Sequence, residues 1–289
     1  MKPFVYIEPD GLAAAVGFLR EHGAQARVMA GGQSLLLGLK DRSVRPAYVV
    51  SLAKLPELKE LRYSEQGQLE IGAAVTYARL ASAVLNGWHT EVAAIAGNLA
   101  DRCVRNMGTI GGAACQADPR FDIPTLLVGA RAKVTIASAQ GARVVRAEDF
   151  FGVEGPCLSP SELVIKFSFP SAFEFAAVAF EKFRYRSFDA ALVSVLCACA
   201  VDSAGRITEF RIVVGAVNKA PKLIERPIRG LIGTSLAQIS PAQLADGVSE
   251  EVIGDSSSAG RMAQYKSELI KTLVGRALGR IAVKTAAGA

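Results

Sequence analysis

Two paired glycines are the segments of this 289-residue sequence best suited to chemistry. The first lies in Ala30-Gly31-Gly32-Gln33-Ser34-Leu35 and the second in Thr109-Ile110-Gly111-Gly112-Ala113. Paired glycines permit a positive φ and let a ligand come close to the main chain. Successive backbone N–H groups in such a turn form a concavity that suits an anion. A helix starting there adds the attraction of its dipole. Ser34 and Thr109 offer hydroxyl donors. A pyrophosphate held between the two segments is the chemistry they fit. Each pair alone is unspecific, because glycine pairs most often make turns. The first is not a Gly-x-Gly-x-x-Gly fingerprint, and there is no Walker motif with its lysine, so the usual Rossmann and P-loop routes to a nucleotide are not indicated.

Other chemistries find little support. The five cysteines are Cys103, Cys115, Cys157, Cys197 and Cys199. Their number is odd and no Cys-x-x-Cys pair occurs, which argues against a disulfide framework, a zinc knuckle or an iron–sulfur site. Reduced thiols in a cytoplasmic protein are the expectation. Only His22 and His89 are present, and His22 in Arg-Glu-His-Gly reads as a helix end. A metal site or a hydrolase triad would need one of them beside a nucleophile and an acid. No metal site and no catalytic side chain beyond a bound cofactor are therefore expected. Lys and Arg exceed Asp and Glu by 33 − 27 = 6, but the charges of the last third are spread out and not interleaved with aromatics. They read as a solvated face, and nucleic-acid binding is not expected. No uninterrupted apolar run of about 18 residues appears, so no transmembrane segment is expected. The start, Met1 to Pro9, has no apolar core of a secretory signal.

The elements that must hold the glycines follow from periodicity. Asp10 is a plausible N-cap for a helix that carries Leu12, Val16 and Leu19 and stops at Gly23. Ala26 to Ala30 reads as a strand, Ser34 to Lys40 as a helix, and Tyr48 to Leu52 as a second strand, which makes a small βαβ-like unit. Leu69 to Gly72 reads as a strand. Thr76 can cap a helix reaching about Leu85, and a second helical stretch runs from Glu91 to Ala100. The second glycine pair reads as a loop, followed by a helix from about Asp122 to Ala130. Strands are expected at Ala132–Ala137, Ala142–Arg146 and Leu163–Pro170. Phe175–Phe183, Ala190–Val201 and Ile207–Val217 suggest a three-stranded antiparallel sheet, with a turn at Asp202-Ser203-Ala204-Gly205. In the tail, Met262, Tyr265, Leu269, Leu273, Ala277 and Ile281 recur at helical steps along one face. Core packing explains such a stripe, and a subunit contact is the other reading.

Several of these segments together resemble one family. Ala30 to Leu36 is similar to the first glycine loop of the FAD-binding medium subunits of molybdenum hydroxylases, the group that includes aerobic carbon monoxide dehydrogenase and the flavin domain of xanthine dehydrogenase. Val104-Arg105-Asn106-Met107-Gly108-Thr109-Ile110-Gly111-Gly112 resembles that family's second and strongest signature. Ala117-Asp118-Pro119 and Asp122-Ile123-Pro124 continue it. Lys182, Arg186 and Asp189 resemble the segment that opens the family's C-terminal domain. The resemblance runs through the whole chain, and several motifs in order are far more specific than either glycine pair.

The resemblance implies an α+β fold. Residues 1–175 would form a PCMH-type FAD-binding domain of two α+β subdomains, about 1–56 and 57–175. Residues 176–289 would form the C-terminal flavoprotein domain, a three-stranded antiparallel sheet with helices. It also implies the cofactor contacts. Val28, Met29, Ala30, Gly31, Gly32, Gln33, Ser34 and Leu35 would wrap the FAD pyrophosphate and nearby groups. Thr109, Ile110, Gly111, Gly112 and Ala113 would contact FAD from the second segment. Asp122 would make a polar contact, Leu99 and Val164 apolar ones, and Lys182 would lie near the flavin ring. Outside the family context, Asp122 reads as a helix N-cap and Lys182 as a surface strand charge. Ala113 stands where the family usually has asparagine, and Gln116 where histidine is common.

The implied role is electron transfer. A large partner subunit would carry the molybdenum cofactor, and a small one two [2Fe–2S] clusters. Electrons would reach FAD on this chain and leave to an external acceptor, within a dimer of heterotrimers. Two other readings stand beside it: a stand-alone FAD-dependent oxidoreductase, and a degenerate FAD domain that only scaffolds a complex. The substrate pocket would belong to another polypeptide, so this sequence does not name the substrate.

Overall fold

The computed structural model describes residues 2–254 and 260–288. The chain builds three sheets of three to five strands in succession. The first body holds β1 (Val5–Ile7), α1 (Leu12–His22), β2 (Ala26–Met29), α2 (Leu35–Asp41) and β3 (Tyr48–Ser51). Its sheet is parallel with the order β1-β3-β2, and Val28 lies opposite Val50. Parallel neighbours need a crossover, and α2 supplies it. The expected βαβ unit is therefore present, with β1 added at one edge. At three residues, β1 is too short to show an alternating pattern in the sequence.

The second body runs through β4 (Leu61–Tyr63), β5 (Gln68–Gly72), α3 (Tyr77–Ala81), α4 (Thr90–Gly97), α5 (Arg102–Met107), α6 (Ile110–Gln116), α7 (Asp122–Gly129), β6 (Lys133–Ser138), β7 (Gly141–Arg146), α8 (Ala147–Phe150), β8 (Phe151–Gly152), β9 (Gly155–Pro156) and β10 (Leu163–Ser171). Its sheet has the order β4-β5-β10-β6-β7 and is antiparallel throughout. Alternate residues of β5, β6 and β10, such as Ile71, Val134 and Phe167, are fully buried with Ile110, Leu126 and Leu127 of the helices. Thr76 caps α3 as expected, its Oγ1 accepting from Arg79 N–H. The helix stops at Ala81 rather than near Leu85, and Val84 is exposed. Likewise α4 ends at Gly97, and Ala100 has a φ of 39° that no helix continues through. An unanticipated helix, α5, follows because Asp101 accepts from Val104 N–H at 2.9 Å and caps it.

The third body contains β11 (Ala177–Phe183), β12 (Val193–Val201), β13 (Ile207–Gly215), β14 (Lys222–Leu223), α9 (Pro241–Gly254) and α10 (Gly260–Gly288). The three long strands are antiparallel as expected, and the two-residue β14 pairs at the edge of β13. Asp202 Oδ1 accepts from the N–H groups of Ala204 and Arg206, which fixes the anticipated turn. Both faces of this sheet are covered. Leu196 and Ala198 of β12 join the core of the second body, and Val195, Cys197 and Cys199 pack with α9 and α10. The two cysteines thus serve as small apolar side chains. The stripe of α10 is core from Leu269 onward, with Leu273, Ala277 and Ile281 buried. Met262 and Tyr265, at its start, are exposed. Among the described residues, no helix is long and apolar enough to cross a membrane.

Candidate functional site

The three bodies meet at one cleft of about 250 Å³. The first body lines it with Ala30, Gly31, Gly32, Gln33, Ser34 and Leu35. The second adds Tyr77, Leu99, Thr109, Gly112, Ala113, Gln116 and Asp122, and the third adds Lys182 and Phe188 to Ala190. A second hollow of about 490 Å³ shares Ala30, Leu35, Gly112 and Gln116 with it. This hollow runs between the first and second bodies and is lined by Val28, Gly111 and Val164. The two hollows together make an elongated groove that passes over both glycine pairs. Of the residues singled out from the sequence, Met29 and Ile110 line neither hollow. Ile110 is fully buried in the core, so its side chain supports α6 from behind.

The first glycine pair joins β2 to α2, and each glycine has its own reason. Gly32 has a φ of 70°, the left-handed conformation that glycine adopts without strain. Gly31 is needed for close approach, since a Cβ there would lie 1.8 Å from the carbonyl oxygen of Met107. Gln33 Nε2 donates to Gly31 O at 3.4 Å across the turn. Among the described residues, none accepts a hydrogen bond from the backbone N–H groups of Gly31, Gly32, Gln33, Ser34 or Leu35. These five consecutive donors lie in the wall of the cleft.

The second pair is not in a loop. Gly111 and Gly112 form the first turn of α6, and neither has a positive φ. Gly111 is needed because a Cβ would meet Ala73 O at 2.5 Å. The turn's donors are engaged within the protein. Ile110 N–H goes to Val75 O at 3.1 Å, Gly111 N–H to Ala73 O at 2.9 Å, and Gly112 N–H to Thr109 Oγ1 at 3.0 Å. Ala113 N–H goes to Thr109 O at 3.1 Å. This segment therefore offers a smooth small-residue wall, in contrast to the donor-rich first segment. The sequence pattern of Thr109 before a helical turn is the signal that marks it as a cap rather than a loop.

Asp122 and Lys182 form a buried ion pair across the second and third bodies, with side chains only 3% and 7% exposed. Lys182 Nζ also donates to Asn98 O at 3.0 Å. Arg184 binds the same residue, donating to Asn98 O at 3.0 Å and to its Oδ1 at 2.8 Å. Burial pushes the Asp122 carboxyl above its usual range, and Lys182 beside it pulls the other way. Lys182 is thus no surface charge. Nor is Asp122 the N-cap of α7, a place taken by Phe121. Tyr77 was not among the residues singled out, although its ring reaches the same cleft.

His89 is fully buried away from the cleft. Its Nε2 faces Pro170 O at 2.8 Å, an acceptor only, so Nε2 carries the proton. Nδ1 then accepts from Tyr63 Oη at 3.1 Å. Burial holds its pKa below the usual histidine value, consistent with a neutral structural ring. Among the described residues, no group of three or more His, Cys, Asp or Glu is placed to hold a metal ion.

Known proteins share both the fold and the order of its parts. Residues 2–172 match the family described as FAD binding domain in molybdopterin dehydrogenase, and residues 178–281 match the CO dehydrogenase flavoprotein C-terminal domain. The glyceraldehyde dehydrogenase medium chain of Sulfolobus acidocaldarius is 31% identical over 96% of this chain and 98% of that relative. The xanthine dehydrogenase FAD-binding subunit of Escherichia coli O157:H7 is 30% identical over 96% of this chain and 95% of that one. A solved structure of carbon monoxide dehydrogenase from Hydrogenophaga pseudoflava superimposes with a TM-score of 0.87 at 27% identity, covering 98% of this chain and 99% of that one. Quinoline 2-oxidoreductase from Pseudomonas putida 86 gives 0.84 at 28% identity, covering 99% and 100%. The architecture is that of a flavoprotein component of an oxidoreductase, an FAD-binding domain followed by a flavoprotein C-terminal domain. The chain belongs to the family of FAD-binding medium subunits of the molybdenum hydroxylases.

Proposed function

We propose that the chain binds one FAD along the groove and relays electrons within a molybdenum hydroxylase complex. The observation that carries this reading is the run of unengaged N–H groups at Gly31 to Leu35, facing a cleft built by all three bodies. Such a run suits an anionic pyrophosphate, and it comes from a sequence matched to an FAD-binding family. The residues present fit the cofactor: the wall is apolar where Leu99 and Ala113 line it and donor-rich at the first glycine pair. When bound, FAD supplies the two-electron and one-electron redox chemistry.

The chain's own residues bind and orient. Residues 28 to 35 hold the phosphates through backbone donors. Thr109 to Ala113 form the close-packed wall opposite them, with Val164 in the second hollow. Asp122 presents a carboxylate whose charge Lys182 offsets, so the pair acts as a fixed dipole rather than as a lone cation. Residues 1–175 form the FAD-binding domain, in subdomains of about 1–56 and 57–175, and residues 176–289 form the C-terminal domain. The partners are a large subunit with the molybdenum cofactor and a small subunit with two [2Fe–2S] clusters, in a cytoplasmic dimer of heterotrimers that serves an external acceptor.

The test is the visible spectrum of the chain purified with its co-expressed partners, followed by denaturation to identify released flavin. One FAD per chain supports the reading. An active complex free of flavin overturns it. Substrate turnover by the chain purified alone would favour a stand-alone flavoenzyme instead.

A further inference from the structure

Tyr77 opens α3 and faces the cleft from the floor of the second body. Its position is fixed at both ends. Thr76 caps the helix, and the Tyr77 N–H donates to Gly108 O at 3.0 Å. The ring lies against Gly108, where an added Cβ would sit 2.7 Å from Cε2. The residue is 9% exposed, so the ring has little room to swing. Yet its hydroxyl has no hydrogen-bond partner among the described residues, and it is not one of the sealed orphan atoms of the core. A buried phenol normally finds a partner for its O–H. Here the described protein groups supply none, and the residue lines the cleft, so the hydroxyl is open to what occupies it.

We propose that Tyr77 is a cofactor-contacting residue whose O–H donates a hydrogen bond to an oxygen or nitrogen acceptor of the bound FAD. The proposal rests on the reading of the cleft as an FAD site. Burial and the nearby Asp122 carboxylate both push the phenol's pKa above its usual value, so the group remains protonated and acts as a donor at neutral pH. Asp122, Lys182 and Tyr77 then make a mixed polar end to a groove whose remaining side-chain lining is largely small or apolar.

The test compares wild type with Tyr77→Phe in the full chain purified with its partners, stripped of flavin and titrated with FAD. Phenylalanine keeps the ring against Gly108 and removes only the hydroxyl. A lost neutral hydrogen bond weakens affinity roughly five- to tenfold. The expected result is that loss, with a shift of the flavin absorption bands and an unchanged melting temperature of the flavin-free protein. A purely structural role would do the reverse, moving the melting temperature of the flavin-free protein. Equal affinity and superimposable spectra in the two proteins would overturn the proposal. Failure of wild type to take up FAD would instead overturn the FAD reading itself, and the wild-type arm alone reveals it.

Discussion

The Asp122–Lys182 pair joins two bodies through charges that water barely reaches. Removing one partner of such a pair leaves the other buried and uncompensated, which costs about 3 kcal/mol or more. Lys182→Met should therefore lower stability by about that amount in urea denaturation, and Asp122→Asn added to it should restore most of the loss. A second residue carries pH dependence. Glu162 accepts from Arg143 at 2.7 and 3.0 Å and from Ser159 N–H at 2.9 Å. These donors hold its carboxyl down at about 2, against 4.5 for a free glutamate. Its folded-state value is depressed, so its contribution is full above pH 4.5 and is lost as pH falls toward 2. The stability gap between wild type and Glu162→Gln should narrow over that interval in thermal scans. A constant gap would assign the effect to packing. At this scale the sequence was legible where identity implies geometry, as at Gly32. It was opaque at Gly31 and Gly111, whose need for glycine comes from Met107 and Ala73, far along the chain.

Elements are coupled by a second buried carboxylate. Glu91 on α4 accepts from Phe180 N–H at 2.9 Å, from Arg280 at 2.9 Å and from Lys284 at 2.6 Å. It thereby ties the second body to β11 and to the C-terminal part of α10. Glu91→Gln keeps the shape but removes the charge that both cations face; those cations are more than a third exposed, so the loss is about 1 kcal/mol. Hydrogen exchange should accelerate in α10 around Ala277 to Lys284 more than in β12. Uniform acceleration would mean that the three bodies open together. Glu91 is 5% exposed, yet in the sequence it is one more acidic residue in the first turn of a helix. The helices α5 and α9 escaped the sequence reading for a related reason. The first is six residues long with no buried side chain, and only the Asp101 cap betrays it. The second begins at Pro241, the position where proline suits a helix, but its apolar face is interrupted by Glu251. That glutamate is buried because it accepts from the N–H groups of Glu225 and Arg226.

The molecule as a whole is legible in its parts and not in their arrangement. Strand lengths and the turn at Asp202 follow from local chemistry. The insertion of β10 between β5 and β6 follows from pairings about a hundred residues apart with β5 and about thirty apart with β6, to which no local pattern points. The cleft depends on that arrangement, because its walls come from the first glycine pair, from α3, α6 and α7, and from Lys182 of β11 with residues 188 to 190 of the β11–β12 connection. A ligand that spans it must restrain all three bodies at once. Saturating FAD, at about a hundred times its Kd, stabilises the folded state by about 2.7 kcal/mol. Slower amide exchange should therefore appear together at residues 31 to 36, at residues 109 to 113 and at residues 182 to 190. The first of these segments should gain most, because the N–H groups of residues 31 to 35 lack protein acceptors among the described residues. Riboflavin, which lacks the pyrophosphate, should leave residues 31 to 36 unprotected. Equal protection of that segment by riboflavin would detach the first glycine pair from phosphate binding. Protection confined to one body would mean that the groove is not spanned by a single ligand.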